Sequence, residues 1–326
     1  MHRNTILAIS SFISTIVASL IIIPILKKVK IGQIERTEGP QSHLKKQGTP
    51  TMGGVTFIFV IIICTIGYYF YMRLNNSNKF IKNIFIIPCL SVGFGVVGFI
   101  DDFKKLVLKN TKGLKPSYKM IGLFIIAALF TVFIIRFSRF GTNIIIPIIK
   151  KEIELPILIY IPFAIFVMLG TTNAVNLTDG IDGLASSVCA IIIACLTVIA
   201  ILNSVQEIVI LGIIVIGSLL GFLMFNLHPA QVFMGDTGSL FLGGLISAIA
   251  LYLKVPLILI IIAIIPIIET LSVMIQVSYY KKTGNRIFKM APIHHHFELS
   301  GWNENKVVRV FAVVTLIACI IGIFII

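Results

Sequence analysis

Long apolar segments recur along almost the whole chain, and they limit its possible folds more than any other feature. A helix needs about 20 apolar residues to cross a hydrocarbon core roughly 30 Å thick. In lipid, every backbone polar group needs an internal partner, which favours helices. We therefore predict an all-α polytopic membrane protein with about ten transmembrane helices, in a single domain over residues 1–326. The predicted spans are 5–26, 52–72, 84–100, 120–136, 156–172, 183–202, 207–225, 239–253, 256–279 and 307–326.

The composition excludes a soluble protein. Hydrophobic residues make up 57% of the chain and charged residues only 12%, against about 25% charged residues in typical soluble domains. The mean hydropathy is +1.04. The first apolar segment, Thr5 to Leu26, is too long for the core of a signal peptide and is interpreted as the first span.

Basic residues predict the orientation, because loops on the cytoplasmic side of a membrane carry an excess of Lys and Arg. When the loops alternate between two sides, most of the 27 Lys and Arg residues fall on one side. They are Lys27, Lys28, Lys30, Arg36, Lys45, Lys46, Lys104, Lys105, Lys109, Lys112, Lys115, Lys119, Lys281, Lys282, Arg286, Lys289, Lys306 and Arg309. This excess also accounts for much of the net charge of +14, so we expect no nucleic-acid partner.

All the aspartates fall on the predicted cytoplasmic side, at or just beyond the ends of apolar spans. They are Asp101, Asp102, Asp179, Asp182 and Asp236. An ionised carboxylate beside hydrocarbon is costly unless it is paired, hydrated or bound to a cation. Solvated helix caps are the alternative. Because remote residues share one depth, we expect them to form a site at the membrane face.

The local patterns assign these aspartates different surroundings. In GFIDDFKK, Asp101 and Asp102 are adjacent, so on a helix their side chains diverge by about 100° and divide their roles. In NAVNLTDGIDGLA, Asp179 and Asp182 follow Asn173 and Asn176 at a spacing of three, which makes a polar stripe. The glycines within this stripe allow an irregular turn, and an Asp cap of the sixth span is the simpler interpretation.

Two further motifs are polar. In FMGDTGSL, glycines flank Asp236, a composition suited to a tight loop whose amides and carboxylate face a metal-bound phosphate; a turn that caps the eighth span is the alternative. In APIHHHFE, the adjacent residues His294, His295 and His296 do not have the usual zinc spacing. Imidazoles facing a phosphorylated ligand fit this motif better, with a plain surface loop as the alternative.

These residue types match the needs of phosphoryl transfer. Such a reaction needs positioned oxygens, charge neutralisation by Mg²⁺ and basic groups near the phosphates. Mg²⁺ prefers oxygen ligands and often takes only one or two carboxylates. The segment HLKKQGTPTMGG adds His43, Lys45 and Lys46 before a turn rich in Gly and Thr. We therefore expect a magnesium-dependent site between a lipid phosphate and a soluble nucleotide.

The motifs together resemble a known family. The segments GTPTMGG, GFIDDFKK, KGLKPSYK, NAVNLTDGIDGLA, FMGDTGSL, ETLSVMIQV and APIHHHFE occur in this order from residue 48 to residue 298. The chain resembles the polyprenyl-phosphate N-acetylhexosamine-1-phosphate transferases, and within them the phospho-N-acetylmuramoyl-pentapeptide transferases. This resemblance implies ten membrane helices, Mg²⁺, and transfer from UDP-N-acetylmuramoyl-pentapeptide to undecaprenyl phosphate, with lipid I and UMP as products.

The resemblance also implies roles for individual residues. The essential aspartates are Asp101, Asp102 and Asp236, with Asp236 the favoured Mg²⁺ ligand. Substrate-site positions are Asn176, Asp179, Asp182, Phe233, Gln276, His294, His295 and His296, to which the polar stripe adds Asn173. Polar positions that line the same cleft are Lys46, Thr51, Lys105 and Lys119. The segment KPSYK departs from the more polar, Arg-containing segment expected there, which affects the assignment around Lys115.

The mechanism and the rival functions remain open at this level. A direct attack by the lipid phosphate is preferred over an aspartyl-phosphate intermediate, since a phosphomonoester is already largely ionised near neutral pH. The rivals are a sister enzyme for N-acetylglucosamine phosphate, a scaffold, and a transporter that would use Glu269, near the middle of a span. We expect a bacterial cytoplasmic-membrane protein whose site faces the cytoplasm, surrounded by membrane lipid; a homodimer is compatible with the resemblance.

Overall fold

The structure is a computed structural model, and it describes residues 2–28, 46, 48–74, 82–106, 113–138 and 140–326. The residues His43, Lys45, Lys30, Arg36, Lys109 and Lys112 of the sequence analysis lie outside this part. The helices are α1 His2–Lys28, α2 Gly54–Leu74, α3 Asn83–Leu106, α4 Pro116–Phe137, α5 Ile157–Thr178, α6 Leu184–Leu202, α7 Gln206–Asn226, α8 Gly235–Tyr252, α9 Leu259–Ile262, α10 Ile264–Thr283, α11 Ile293–Glu298 and α12 Glu304–Ile325. Strands β1 Asn143–Ile146 and β2 Lys151–Glu154 lie between α4 and α5.

The number of spans agrees with the sequence. Within the described residues, nine helices are long and apolar enough to cross a membrane. A tenth span forms if the bent pair Pro256–Ile262 and Ile264–Thr283, which meet at 78°, is counted as one. The prediction of an all-α polytopic membrane protein is therefore confirmed. The antiparallel β1–β2 pair, with Asn143 opposite Glu154, is a small addition that the apolar pattern did not indicate.

Helix α8 is the centre of the bundle. Its side chains are buried from Thr237 to Tyr252, and it packs most extensively against α3 and α5. A helix whose side chains are buried on all sides is surrounded by other helices and not by lipid. From Thr237 onward, α8 is thus enclosed by its neighbours, while Gly235 and Asp236 at its start are partly accessible.

Glycines let α8 approach its neighbours closely at the end that carries the aspartates. A Cβ atom on Gly98 of α3 would lie 2.1 Å from the carbonyl oxygen of Asp236, and one on Gly54 of α2 would lie 2.3 Å from Cα of Gly238. Small residues at such contacts let helix backbones meet in a membrane. The close approach at Gly98 puts the last turns of α3, with Asp101 and Asp102, beside the start of α8.

The loops separate into two groups at opposite ends of the bundle. At the far end, away from the aspartates, the amide of Ile148 in the β1–β2 turn donates to the carbonyl of Ile325 (2.8 Å), and the amide of Ile145 donates to the carbonyl of Lys254 (2.7 Å). There Tyr252 donates to the buried carboxylate of Glu207 (2.8 Å). The predicted topology likewise places successive loops on alternate sides of the membrane.

We expect Gly98→Ala to lower the thermal unfolding temperature and the activity together. The added methyl group collides with the backbone of α8, and overpacking of this kind costs about 1–3 kcal/mol. Thermal unfolding of the detergent-purified protein measures the effect. Gly67→Ala is the control, because a Cβ at Gly67 of α2 meets nothing within 4 Å. Equal unfolding temperatures for both variants would contradict the close approach.

Candidate active site

Asp102 holds the beginning of α8. Its Oδ1 accepts from the amide of Asp236 (3.2 Å), and its Oδ2 accepts from the amide and the hydroxyl of Thr237 (2.9 and 2.7 Å). The first amides of a helix have no partner within the helix, so a carboxylate there acts as a cap and also interacts favourably with the helix dipole. Asp102 therefore fixes the backbone that carries Asp236.

Asp101 and Asp236 share two lysines. The ammonium of Lys105 lies 2.8 Å from Oδ2 of Asp101 and 3.1 Å from Oδ2 of Asp236. The ammonium of Lys119 lies 3.4 Å and 2.9 Å from the same two atoms. The other oxygen of Asp101 accepts from the amide of Leu114 (2.7 Å). Residues from α3, α4 and α8 thus meet at one point, and the adjacent aspartates of α3 face different partners.

The asparagines of α5 occupy different environments. The side-chain amide of Asn176 donates to Oδ1 of Asp236 and to the hydroxyl of Ser239, both at 2.8 Å. Asn173, one turn earlier, donates instead to the carbonyl of Leu169 in its own helix (2.8 Å). Only Asn176 reaches the carboxylate cluster, although the polar stripe had included both residues.

The segment after α5 is an irregular turn and not the continuous helical face that the spacing had allowed. Helix α5 ends at Thr178 and α6 begins at Leu184, with Gly183 at a φ of 76° between them. Asp179 accepts the amide of Gly235, and burial together with the charges of Asp236 and Asp102 raises the pKa of Asp179 to about 8. Asp179 and Asp182 consequently face different groups.

Asp182 belongs to a second, neighbouring cluster. Its Oδ1 lies 2.6 Å from the ammonium of Lys46. Its Oδ2 lies 3.0 Å from Nδ1 of His228 and accepts from the amide of Ala230 at 3.0 Å. Glu304, the first residue of α12, lies 2.5 Å from the same ammonium. This cluster connects the segment before α2 with the loops that precede α6, α8 and α12.

The segment 48–54 pairs with the residues before α8. Phe233 donates its amide to the carbonyl of Pro50 (2.8 Å) and accepts from the amide of Gly53 (2.9 Å). The ammonium of Lys46 lies 6.0 Å from the centre of the Phe233 ring. Thr51 is buried, and its hydroxyl oxygen would lie 2.8 Å from a Cβ on Gly235. The predicted residues Lys46, Thr51 and Phe233 thus border the start of α8.

Gln276 and the histidines make different contacts from those expected of ligand-facing groups. The oxygen of Gln276 accepts from the amides of Ile287 and Phe288 (3.1 and 3.0 Å), so this side chain supports the loop after α10.

The histidines lie on the short helix α11 and not in a loop. His294 is fully buried, with Nδ1 3.0 Å from Oε1 of Glu269. Glu269 is therefore a paired carboxylate.

The other two histidines are partly accessible. Nδ1 of His295 lies 2.9 Å from Oε2 of Glu298. Nδ1 of His296 accepts from the amide of Lys289 (3.2 Å), so a neutral His296 carries its proton on Nε2. These two imidazoles are the ones of the motif that a ligand can reach without displacing a buried group.

The donor set beside Asp236 fits a divalent cation with oxygen ligands. In the described part of the chain, the carboxylates of Asp101, Asp102, Asp179 and Asp236 lie close together, and two ammonium groups, those of Lys105 and Lys119, contact them. Burial, and then the charges of Asp236 and Asp102, raise the pKa of Asp179. Asp102 is saturated by its helix-capping contacts. The carboxylate of Asp236, with that of Asp101 beside it, offers oxygen donors of the kind that a divalent cation prefers.

The amides at the start of α8 are not free for a phosphate. The amides of Gly235, Asp236 and Thr237 all donate to carboxylates of Asp179 or Asp102. The expectation that these amides face a metal-bound phosphate is therefore wrong, because the charge-assisted contacts to carboxylates take them first. FMGDTGSL is the capped start of the eighth span, which was the alternative interpretation.

Sequence reasoning missed Glu304 and His228. Glu304 opens an apolar span after Asn303 and looks like an ordinary first-turn acid; His228 stands alone in a loop. Their ligand atoms and those of Asp182 lie within 4.8 Å of one another. The ammonium of Lys46 already lies against both carboxylates of this group, and it compensates part of their charge.

The chain is similar to known proteins over almost its whole length. The glycosyl transferase family 4 matches residues 84–254, and the phospho-N-acetylmuramoyl-pentapeptide-transferase signature 1 matches residues 46–58. A phospho-N-acetylmuramoyl-pentapeptide-transferase of Clostridium perfringens (strain SM101 / Type A) is 50% identical over 313 residues, covering 95% of this chain and 94% of the relative. One of Staphylococcus carnosus (strain TM300) is 46% identical over 322 residues, covering 98% of each.

We expect Asp102→Ala and Asp236→Asn to differ in stability. Loss of a helix cap costs about 0.5–2 kcal/mol, so Asp102→Ala should lower both the unfolding temperature and the activity. Asp236→Asn keeps the amide contact of residue 236 to Asp102 and should reduce activity at least about 100-fold, with a smaller fall in unfolding temperature from the lost charge beside Lys105 and Lys119. Calorimetry and product formation measure the two effects. Equal losses of stability would contradict the capping role of Asp102.

The pKa of Asp179 predicts a pH dependence of stability without metal. A carboxyl whose pKa is raised in the folded state makes folding less favourable as pH rises from its unfolded pKa to its folded pKa. Asp179→Asn should therefore raise the unfolding temperature relative to the unsubstituted protein, by more at about pH 9 than at about pH 6. Thermal unfolding with chelator tests this, and a pH-independent difference would contradict it.

Proposed function

The chain belongs to the family of phospho-N-acetylmuramoyl-pentapeptide-transferases, and from that premise we propose how its residues divide the reaction. The enzyme acts in peptidoglycan synthesis. It transfers phospho-N-acetylmuramoyl-pentapeptide from its UDP-linked donor to undecaprenyl phosphate, forming lipid I and UMP. The proposed location is the cytoplasmic membrane of a bacterium, with residues 1–326 acting as one membrane-embedded domain and the site facing the cytoplasm.

One observation supports a phosphoryl-transfer site at this place: two lysines each contact the same two aspartates. Lys105 and Lys119 each lie within 3.4 Å of both Asp101 and Asp236. Ammonium groups held at one point between carboxylates can transfer their hydrogen bonds to phosphate oxygens of an incoming ligand. Phosphoryl transfer is served mainly by positioned charges of this kind.

Mg²⁺ is the proposed cofactor, held by Asp236 with Asp101 nearby. When bound, this ion supplies charge neutralisation and orientation of phosphate oxygens. Asn176 fixes the carboxylate of Asp236 through its side-chain amide, and Asp102 fixes its backbone. Lys105 and Lys119 are the groups that then face the phosphates of the substrates.

We assign the donor side of the cleft to the residues around Lys46 and Phe233. Lys46 presents a fixed positive charge, and the Phe233 ring offers a flat surface for a base. The further proposed donor contacts are Thr51, Asp179, Asp182, His295 and His296, while Gln276 supports the loop after α10 and Asn173 bonds within its own helix. His294 is buried, so its proposed contribution is to support the turn at Gly180, against which its ring packs.

The preferred chemistry is a single displacement. An oxygen of the lipid phosphate attacks the phosphorus that carries the sugar; the bond from that phosphorus to the bridging oxygen breaks, and UMP leaves with this oxygen. A phosphomonoester with a second pKa of about 6 needs no strong base at neutral pH. Asp101 orients the attacking phosphate through Lys105 and Lys119.

Membrane lipid surrounds the protein, and a homodimer remains a prediction.

The enzyme's donor preference and metal need are tested by UMP release from purified protein with undecaprenyl phosphate. We expect UMP with UDP-N-acetylmuramoyl-pentapeptide, loss of UMP on chelation and recovery with Mg²⁺. UDP-N-acetylglucosamine is the matched control donor. Faster turnover of the control donor would contradict the assigned donor. A phosphorylated protein trapped from labelled donor without lipid acceptor would contradict direct attack.

A further inference from the structure

A second charged cluster lies beside the aspartates of the reaction, and four separate segments of the chain contribute to it. Lys46 comes from the segment before α2, Asp182 from the turn before α6, His228 from the loop after α7 and Glu304 from the first turn of α12. Asp182 and Glu304 are only 2% and 7% exposed. A cluster so buried at the junction of four segments determines how those segments lie relative to one another.

Glu304 makes contacts to three of these segments. Its Oε1 lies 2.5 Å from the ammonium of Lys46, and the same oxygen accepts the backbone amide of Asp182 at 2.6 Å. Its Oε2 lies 3.2 Å from Nδ1 of His228. Glu304 therefore holds both the lysine and the turn that carries the aspartate partner of that lysine.

The position of Glu304 is itself fixed by its helix. Asn303 caps α12, because its side chain accepts from the amide of Lys306 (2.8 Å). Glu304 follows as the first residue of a 22-residue helix whose buried residues include Val307, Val308 and Phe311. A carboxylate on the first turn of a packed helix moves less than one on a loop, so it is suited to orient its partners.

His228 completes the arrangement. Its Nδ1 faces a carboxylate oxygen of Asp182 at 3.0 Å and one of Glu304 at 3.2 Å, so this nitrogen carries the proton. The nearby amide of Ala230 donates to the same oxygen of Asp182. Both oxygens of Asp182 are thus occupied, Oδ1 by Lys46 and Oδ2 by His228 and Ala230, and Asp182 and Glu304 hold the ammonium of Lys46 together.

The cluster keeps Lys46 charged. Burial alone would lower the pKa of the ammonium, but the contacts with Asp182 and Glu304 outweigh burial and raise the pKa. The ammonium also lies 6.0 Å from the centre of the Phe233 ring. The charge of Lys46 therefore remains fixed beside the aromatic surface to which the donor nucleotide was assigned.

We propose that Glu304 is a positioning residue for the donor: it holds Lys46 and the 179–182 turn in the geometry that binds the UDP-linked substrate, while touching no reacting atom. This inference rests on the proposed role of Lys46 in donor binding. Nothing in the reaction at Asp101 and Asp236 requires Glu304. Its loss should therefore weaken donor binding and leave the chemical step and the lipid acceptor largely unaffected.

Steady-state kinetics of the full-length enzyme in detergent, with the two substrates varied separately, tests the proposal. Glu304→Gln keeps the size of the side chain but removes its charge. We expect the KM for the donor to rise about tenfold, the cost of weakening one charge-assisted hydrogen bond. The kcat and the KM for undecaprenyl phosphate should change less than about threefold. An unchanged donor KM, or an equal rise for both substrates, would overturn the proposal.

Glu207→Gln is the matched control. Glu207 is also a buried acid on the first turn of a span, and it accepts a hydrogen bond from Tyr252 at the far end of the bundle. The same chemical change there should leave both KM values unaltered even if it lowers the unfolding temperature. A rise in donor KM in Glu207→Gln as large as that in Glu304→Gln would reduce the effect to general destabilisation and overturn the proposal.

A double-substitution cycle tests whether Glu304 acts through Lys46. In a Lys46→Ala background, Glu304→Gln should raise the donor KM less than about twofold, since residues that act as a unit are not additive. Full additivity would overturn the inference but leave the assigned donor site intact. If Lys46→Ala alone leaves the donor KM unchanged, the proposed role of Lys46 fails, and the inference fails with it.

Discussion

Several aspartate carboxylates lie close together at one end of the helix bundle, and the arrangement of the site depends on how each of these charges is stabilised. Asp101, Asp102, Asp179 and Asp236 come from two helices and one turn, and in the described part of the chain Lys105 and Lys119 are the counter-charges that lie among them. Carboxylates at the edge of hydrocarbon are stable only when they are paired, capped or bound to a cation. Each of the four carboxylates is stabilised by different partners, and the roles proposed for these residues follow from those partners.

Backbone packing makes the crowding possible. Because Gly98 brings α3 against the carbonyl of Asp236, Asp102 can cap α8 while Asp101 faces the lysines. The amides of α8 are then committed to holding the helix in place, and the carboxylate of Asp236 is directed to the ligand side. In the proposed function, the second cluster, around Lys46 and Glu304, holds the donor side with a different set of segments, and the two adjacent groups of charges face the two phosphate-bearing substrates.

The sequence predicted the architecture well, because apolar length and the distribution of basic residues are direct consequences of the membrane. Nine of the ten predicted spans correspond to single long helices, the predicted span 256–279 is a pair of helices bent by 78°, and the remote aspartates Asp101, Asp102 and Asp236 do converge. The predictions that were wrong concerned features that depend on tertiary contacts. The helical face through Asp179 and Asp182 is broken by the turn at Gly183, and the amides beside Asp236 are taken by Asp102 and Asp179. Glu304 and His228 carried no local signal, since their partners lie in other loops.

The central claim is that the divalent ion binds at Asp236 and not at the neighbouring group of Asp182, His228 and Glu304. Anomalous diffraction from crystals grown with Mn²⁺ and UMP measures this directly. The account predicts one Mn²⁺ peak at about 2–2.2 Å from a carboxylate oxygen of Asp236, with Lys46 still lying between Asp182 and Glu304. A peak among Asp182, His228 and Glu304, with none at Asp236, would contradict it.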